Sequence, residues 1–125
     1  MQYIQNSTKS VSEVVQSIKE IAPNHKFGIL SMRDMKETLA SKGLDLEEEC
    51  IILDICNPKI AHTLLSADLL LSSVLPCNIS VCSQNGQTVV ITSLLPELID
   101  DINPDFTKLA TTTQKTLQTI INEAV

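Results

Sequence analysis

Asn85-Gly86, set between two runs of aliphatic and small polar residues, constrains the fold more than any other dipeptide in the chain. A two-residue hairpin turn of the kind whose twist matches its flanking strands needs positive φ at both central positions, and Asn-Gly supplies it at the lowest steric cost. The turn predicts strands over residues 77–83 and 87–94, with Ser83 opposite Thr88, Cys82 opposite Val89 and Val81 opposite Val90. Ile79, Val81 and Val90 then share one face, and Cys82, Val89 and Ile91 share the other. Neither face is polar in the way of a sheet with one side in water. The second face is therefore expected to be covered, most simply by a symmetric partner in a homodimer. The alternative is that small helices cover both faces within one chain.

The remaining elements follow from caps and periodicity. Residues 1–6 suit a short first strand. Ser10 with Glu13 is a capping box, and Val11, Val14, Val15, Ile18 and Ile21 form a helical stripe that Pro23 ends. Residues 26–32 read as a strand carrying Gly28. Asp34 with Glu37 repeats the capping signature, with Met35 and Leu39 facing inward and Gly43-Leu44 as a left-handed stop. Residues 49–56 form the strongest central strand, with Cys50, Ile52, Asp54 and Cys56 on one face and Ile51, Leu53 and Ile55 on the other. Asn57 caps the next helix and Pro58 occupies its first position, where a missing N–H costs nothing. Ile60, Ala61, Leu64, Leu65 and Ala67 give that helix its buried side. Asn103 caps and Pro104 starts a long last helix, whose stripe runs through Phe106, Leu109, Ala110, Thr113, Leu117, Ile120, Ile121 and Ala124. One long helix lying across an antiparallel sheet makes the class α+β, and with no repeats or linkers residues 1–125 are expected to form a single domain.

Composition excludes several functions. The net charge is −6, and Arg33 is the single arginine, so clustered phosphate contacts are not available. Tyr3, Phe27 and Phe106 are the only aromatic residues, too few for a base-stacking platform. No nucleic-acid partner is expected. The apolar stretch 60–74 is broken by His62 and Asp68, and the N-terminus lacks the pattern of a secretory signal, so no membrane partner and a cytoplasmic location are expected. In that compartment the four cysteines are expected to be free thiols.

Chemistry-bearing residues crowd at two junctions, Ile55-Cys56-Asn57-Pro58 and Leu75-Pro76-Cys77-Asn78. A four-cysteine metal site is unfavourable, because Cys77 and Cys82 differ by an odd number on one strand and point to opposite faces. The smaller set Cys56, His62 and Cys77 could hold a soft metal or act as a thiol site with His62 as base. Against this stands the ordinary behaviour of buried cysteine as a small apolar residue. Cys56 lies just before a helix N-terminus, which favours thiolate, while Asp54 on the same strand face opposes that shift. Asn78 is out of place at a strand start, and faces either a loop carbonyl or a ligand. Glu47-Glu48-Glu49 reads as a solvated turn, and Asp100-Asp101 as serving the start of the last helix. Phosphate-cradling glycine loops and a serine nucleophile elbow are not found, and no cofactor and no metal are expected.

The stretches 27–30, 52–58, 61–62 and 75–81, in that order, resemble the domain of unknown function 302 family. The resemblance covers residues 11–95 and rests mainly on the cysteine-asparagine-proline and leucine-proline-cysteine-asparagine motifs. It implies a fold similar to that of the TATA-binding protein, a curved antiparallel sheet with helices packed mainly on one face, and it implies small homodimers without an established activity. It carries over Cys56, Asn57, Pro58, Ala61, Pro76, Cys77 and Asn78 as motif positions. In this chain residues 69–74 lack the proline and glycine common there, and Leu95-Pro96 replaces an aspartate-proline. The expected function is a homodimeric binding or accessory module for a small molecule, using Cys56, Asn57, His62, Cys77 and Asn78. The alternative is a thiol- or metal-dependent activity of Cys56 and Cys77.

Overall fold

The computed structural model describes residues 1–125. Elements are numbered in chain order. The strands are β1 (Gln2–Ser7), β2 (Gly28–Asp34), β3 (Cys50–Cys56), β4 (Cys77–Gln84) and β5 (Gln87–Ser93). The α-helices are α1 (Val11–Ile21), α2 (Met35–Ala40), α3 (Pro58–Ala67), α4 (Leu95–Ile102) and α5 (Thr107–Ala124). Short 3-10 turns span Ala22–His25, Leu69–Val74 and Pro104–Phe106. The strands form one antiparallel sheet in the order β1-β5-β4-β3-β2.

The β4–β5 hairpin has the register that Asn-Gly predicts: Ser83 faces Thr88, Cys82 faces Val89 and Val81 faces Val90. Asn85 and Gly86 take φ of 53° and 80°, the left-handed conformation the tight turn requires. β3 pairs with β4 so that Ile51, Leu53 and Ile55 stand opposite Val81, Ile79 and Cys77. This inner face receives α1 and α5. Val11, Val14, Val15 and Ile18 of α1 and Leu117, Ile120, Ile121 and Ala124 of α5 close the main core over it. Ile18 is fully buried there, so its replacement by alanine would cost about 2–5 kcal/mol through lost transfer energy and the cavity left behind. The capping box that starts α1 is present, with the Ser10 hydroxyl accepting from Glu13 N and the Glu13 carboxylate accepting from Ser10 N.

A second, smaller core lies where β3, β4 and β5 meet the helical connections. Leu64 of α3, Leu71 of the 3-10 turn, Leu95 and Ile99 of α4 and Ala110 of α5 form it. Cys77 packs against both cores and joins them. The outer face of the sheet presents Cys50, Ile52 and Asp54 of β3, Asn78, Ser80 and Cys82 of β4, Val89 and Ile91 of β5 and Ile4 of β1. Neither core cluster includes these side chains; Ile4 is 51 % exposed, while Val89 is buried.

Four details differ from the sequence expectations. β5 ends at Ser93, and α4 follows it where no helix was expected. Asn103 caps the 3-10 turn, by accepting from Asp105 N, and α5 proper begins at Thr107. Met35 and Leu39 are only half buried, because α2 packs at the β2–β3 edge and carries no buried residue. Ala67 is likewise exposed, which leaves Leu64 as the one fully buried residue of α3. No helix is long and apolar enough to cross a membrane.

Candidate functional site

β3 ends at Cys56 because Asn57 and Pro58 turn the chain into α3. The Asn57 side-chain oxygen accepts from Lys59 N at 3.1 Å and from Ile60 N at 3.2 Å, which satisfies two of the helix's free amide groups. β4 begins at Cys77, in register with Ile55, so the two motif cysteines lie next to one another across neighbouring strand ends. Both line a cavity of about 210 Å³. Its wall is mainly aliphatic, with Ile55, Ile60, Leu64 and Leu75 beside the two sulfurs, and Phe27 on one side. The polar groups on it are largely occupied: Asn57 by its cap, and the Thr113 hydroxyl by the Leu109 carbonyl at 2.9 Å.

Burial dominates the electrostatics of this cavity. It pushes the Cys77 thiol up to about 11, with the neighbouring Cys56 adding to the shift. Burial also raises the Cys56 thiol, so the helix N-terminus does not produce a thiolate there. The cavity therefore holds two neutral thiols at neutral pH.

Asn78 points the other way. It lines an open groove of about 580 Å³ together with Arg33, Asp54 and Ser93. Asp54 accepts from the Ser31 hydroxyl at 2.5 Å and from Arg33 Nη2 at 2.9 Å, a network that ties β2 to β3 beside its bulge. Leu75, Pro76, Cys77 and Leu95 border both the groove and the cavity, so the second motif forms the partition between a polar space and an apolar one. The Asn78 carbonyl accepts from the Thr92 hydroxyl at 2.7 Å.

His62 is not part of either space. It lies exposed on α3 and borders neither the cavity nor the groove, so the set Cys56, His62 and Cys77 is not assembled. Cys50 and Cys82 stand together on the outer face, while Cys77 faces inward, so the four cysteines do not converge. Thr113, Leu95 and Phe27 complete the cavity from distant parts of the chain. Proline in the first turn marks a helix start, so Leu95-Pro96 was a local signal for α4.

A family model for the domain of unknown function DUF302 matches residues 3–124. No protein with a curated description matches the sequence. Among solved structures, the chain is similar to the crystal structure of uncharacterized conserved protein DUF302 from Bacillus stearothermophilus. The TM-score is 0.94 at 27% identity, over 99% of this chain and 98% of that one. The two cysteine-asparagine motifs and the sheet that carries them thus fall inside a match spanning almost the whole sequence, and the chain belongs to the DUF302 family.

Proposed function

We propose that this protein is a homodimeric, cytoplasmic, non-enzymatic module that binds a small, uncharged and mostly apolar molecule in the cavity between Cys56 and Cys77. The observation that carries this is the convergence of both motif cysteines on one aliphatic-walled cavity of about 210 Å³. A cavity of about 150 Å³ accommodates benzene, whereas drug-sized ligands occupy roughly 300–1,000 Å³. The ligand is therefore compact, on the scale of one substituted ring or a short branched chain. Neutral thiols suit such a ligand, since they behave as soft, weakly polar wall atoms.

The thiol- or metal-dependent alternative is weaker. A thiol pushed up to about 11 is a poor nucleophile and a poor ligand near pH 7, and the exposed position of His62 leaves the cavity without a base.

The homodimer is supported by the outer face of the sheet. Ile4, Ile52 and Ile91 make an aliphatic patch there outside both cores, beside the buried Val89. An isologous pairing of two such faces would bury it. Asn78 and Asp54 lie at its end and would remain beside the groove.

The binding reading is tested with toluene, indole and cyclohexanol as probes, followed by the rise in Tm. At least one probe stabilises the native protein, and Ala61→Phe, which fills the cavity from α3, abolishes that rise while keeping a native circular dichroism spectrum. Equal stabilisation of both proteins, or none of the native protein by any probe, would refute the assignment.

A further inference from the structure

Cys50 of β3 and Cys82 of β4 stand directly opposite one another on the outer face. One pair further along, Ser83 N donates to the Glu49 carbonyl, so the pair between Glu49 and Ser83 is hydrogen-bonded. Antiparallel pairs alternate, which makes Cys50 and Cys82 a pair of the non-hydrogen-bonded kind, with side chains at their closest approach. Such pairs hold their Cα atoms about 4.5 Å apart, inside the roughly 4.4–6.8 Å that a disulfide spans. The Cys82 thiol already donates to the Cys50 sulfur at 3.5 Å. Both side chains are half buried and neither belongs to a hydrophobic core.

We propose that Cys50 and Cys82 form a covalent modification site at which a low-molecular-weight disulfide exchanges with the protein and leaves a cross-strand disulfide. One of the two thiols, once deprotonated, attacks the small disulfide, forming a mixed disulfide and expelling one small thiolate. The other protein thiol loses its proton and attacks the protein-side sulfur of that bond, expelling the second small thiolate. Both leaving thiolates are protonated, so the two thiol protons end on the two small thiols. The protein is oxidised by two electrons and the small disulfide is reduced by two.

The arrangement sets the order of rates. Burial, followed by the hydrogen bond to Cys50, pushes the Cys82 thiol up to about 12. Cys82 is therefore a slow first attacker near neutrality, whereas closure onto a sulfur already in register is fast. The site is separate from the cavity between Cys56 and Cys77, which neither Cys50 nor Cys82 lines. It does lie on the face through which two copies are proposed to meet. Exchange then proceeds through the single chain, and a tight dimer slows it.

The test uses the full chain, diluted until light scattering reports single chains, incubated with oxidised glutathione and digested without reduction. The expected product has lost two hydrogens, links the peptides that contain Cys50 and Cys82, retains no glutathione, and leaves Cys56 and Cys77 free to alkylate after unfolding. Cys50→Ser and Cys82→Ser each retain one glutathione instead. A native chain that stays unmodified, keeps glutathione as a mixed disulfide, or links Cys56 to Cys77 overturns the proposal. Phenylarsine oxide provides a check that needs no variant. It condenses with two adjacent thiols, losing one water, and protects Cys50 and Cys82 together from alkylation in the folded native protein. Absence of that protection also overturns the proposal; the expected product leaves Cys56 and Cys77 free and so does not bear on probe binding in their cavity.

Discussion

Asn57 and Cys77 show how one side chain at each motif serves the fold before it serves a ligand. Asn57 spends its side-chain oxygen on Lys59 N and Ile60 N. Asn57→Ala is expected to destabilise the protein by about 1 kcal/mol through loss of the cap, while Asn57→Asp keeps most of it, as urea unfolding would measure. Cys77 lies between the two cores and carries a thiol raised from its ordinary value of 9.0 to about 11. The folded protein holds that proton where the unfolded chain releases it. Stability is therefore full below pH 9 and falls as pH rises from 9 to 11, by about 2 kcal/mol at most given the partial exposure of the side chain. Thermal unfolding from pH 7 to 11 checks the sign, with Cys77→Ala flattening the profile. The motifs were legible as residues because cysteine, asparagine and proline stand out among aliphatics. His62 was not, because spacing along a helix does not say which rim meets the cavity.

The hairpin and α4 mark the two ends of what could be read at the level of secondary structure. Asn85-Gly86 carries its own instruction, since the positive φ of both residues is a local property that sets the whole β4–β5 register. α4 carries almost none. Its cap position is Leu94, which has no capping side chain, and the Leu95 N–H is met by the Gln114 side-chain oxygen at 2.9 Å, from α5. A cap supplied from so far along the chain leaves no local signature. Gln114 is only 5 % exposed, and its amide nitrogen has no protein partner. Gln114→Leu removes the acceptor and strands the buried Leu95 N–H, so it is expected to cost about 1–3 kcal/mol. Hydrogen exchange should rise first at the start of α4 and leave the β4–β5 ladder protected.

For the molecule as a whole, the sheet divides two roles. Its inner face is filled by α1 and α5, which leaves the cavity at the strand ends as the inner-side space shared by both motif cysteines. Its outer face keeps Ile4, Ile52 and Ile91 outside either core. If two copies meet there, Ile91→Lys yields single chains by light scattering at concentrations where the native protein is paired. An unchanged mass for the variant would move the interface elsewhere. Alternation along β3 to β5 made the composition of the outer face legible in the sequence. The cavity was not, because Phe27, Leu95 and Thr113 reach it only through the tertiary fold. Soaking a crystal with iodobenzene and locating the iodine from its anomalous signal shows whether the two motifs frame a binding cavity. One dominant peak is expected between Cys56, Leu64 and Cys77. Iodine found only in the groove of Arg33 and Asn78, or only on the outer face of the sheet, would contradict it.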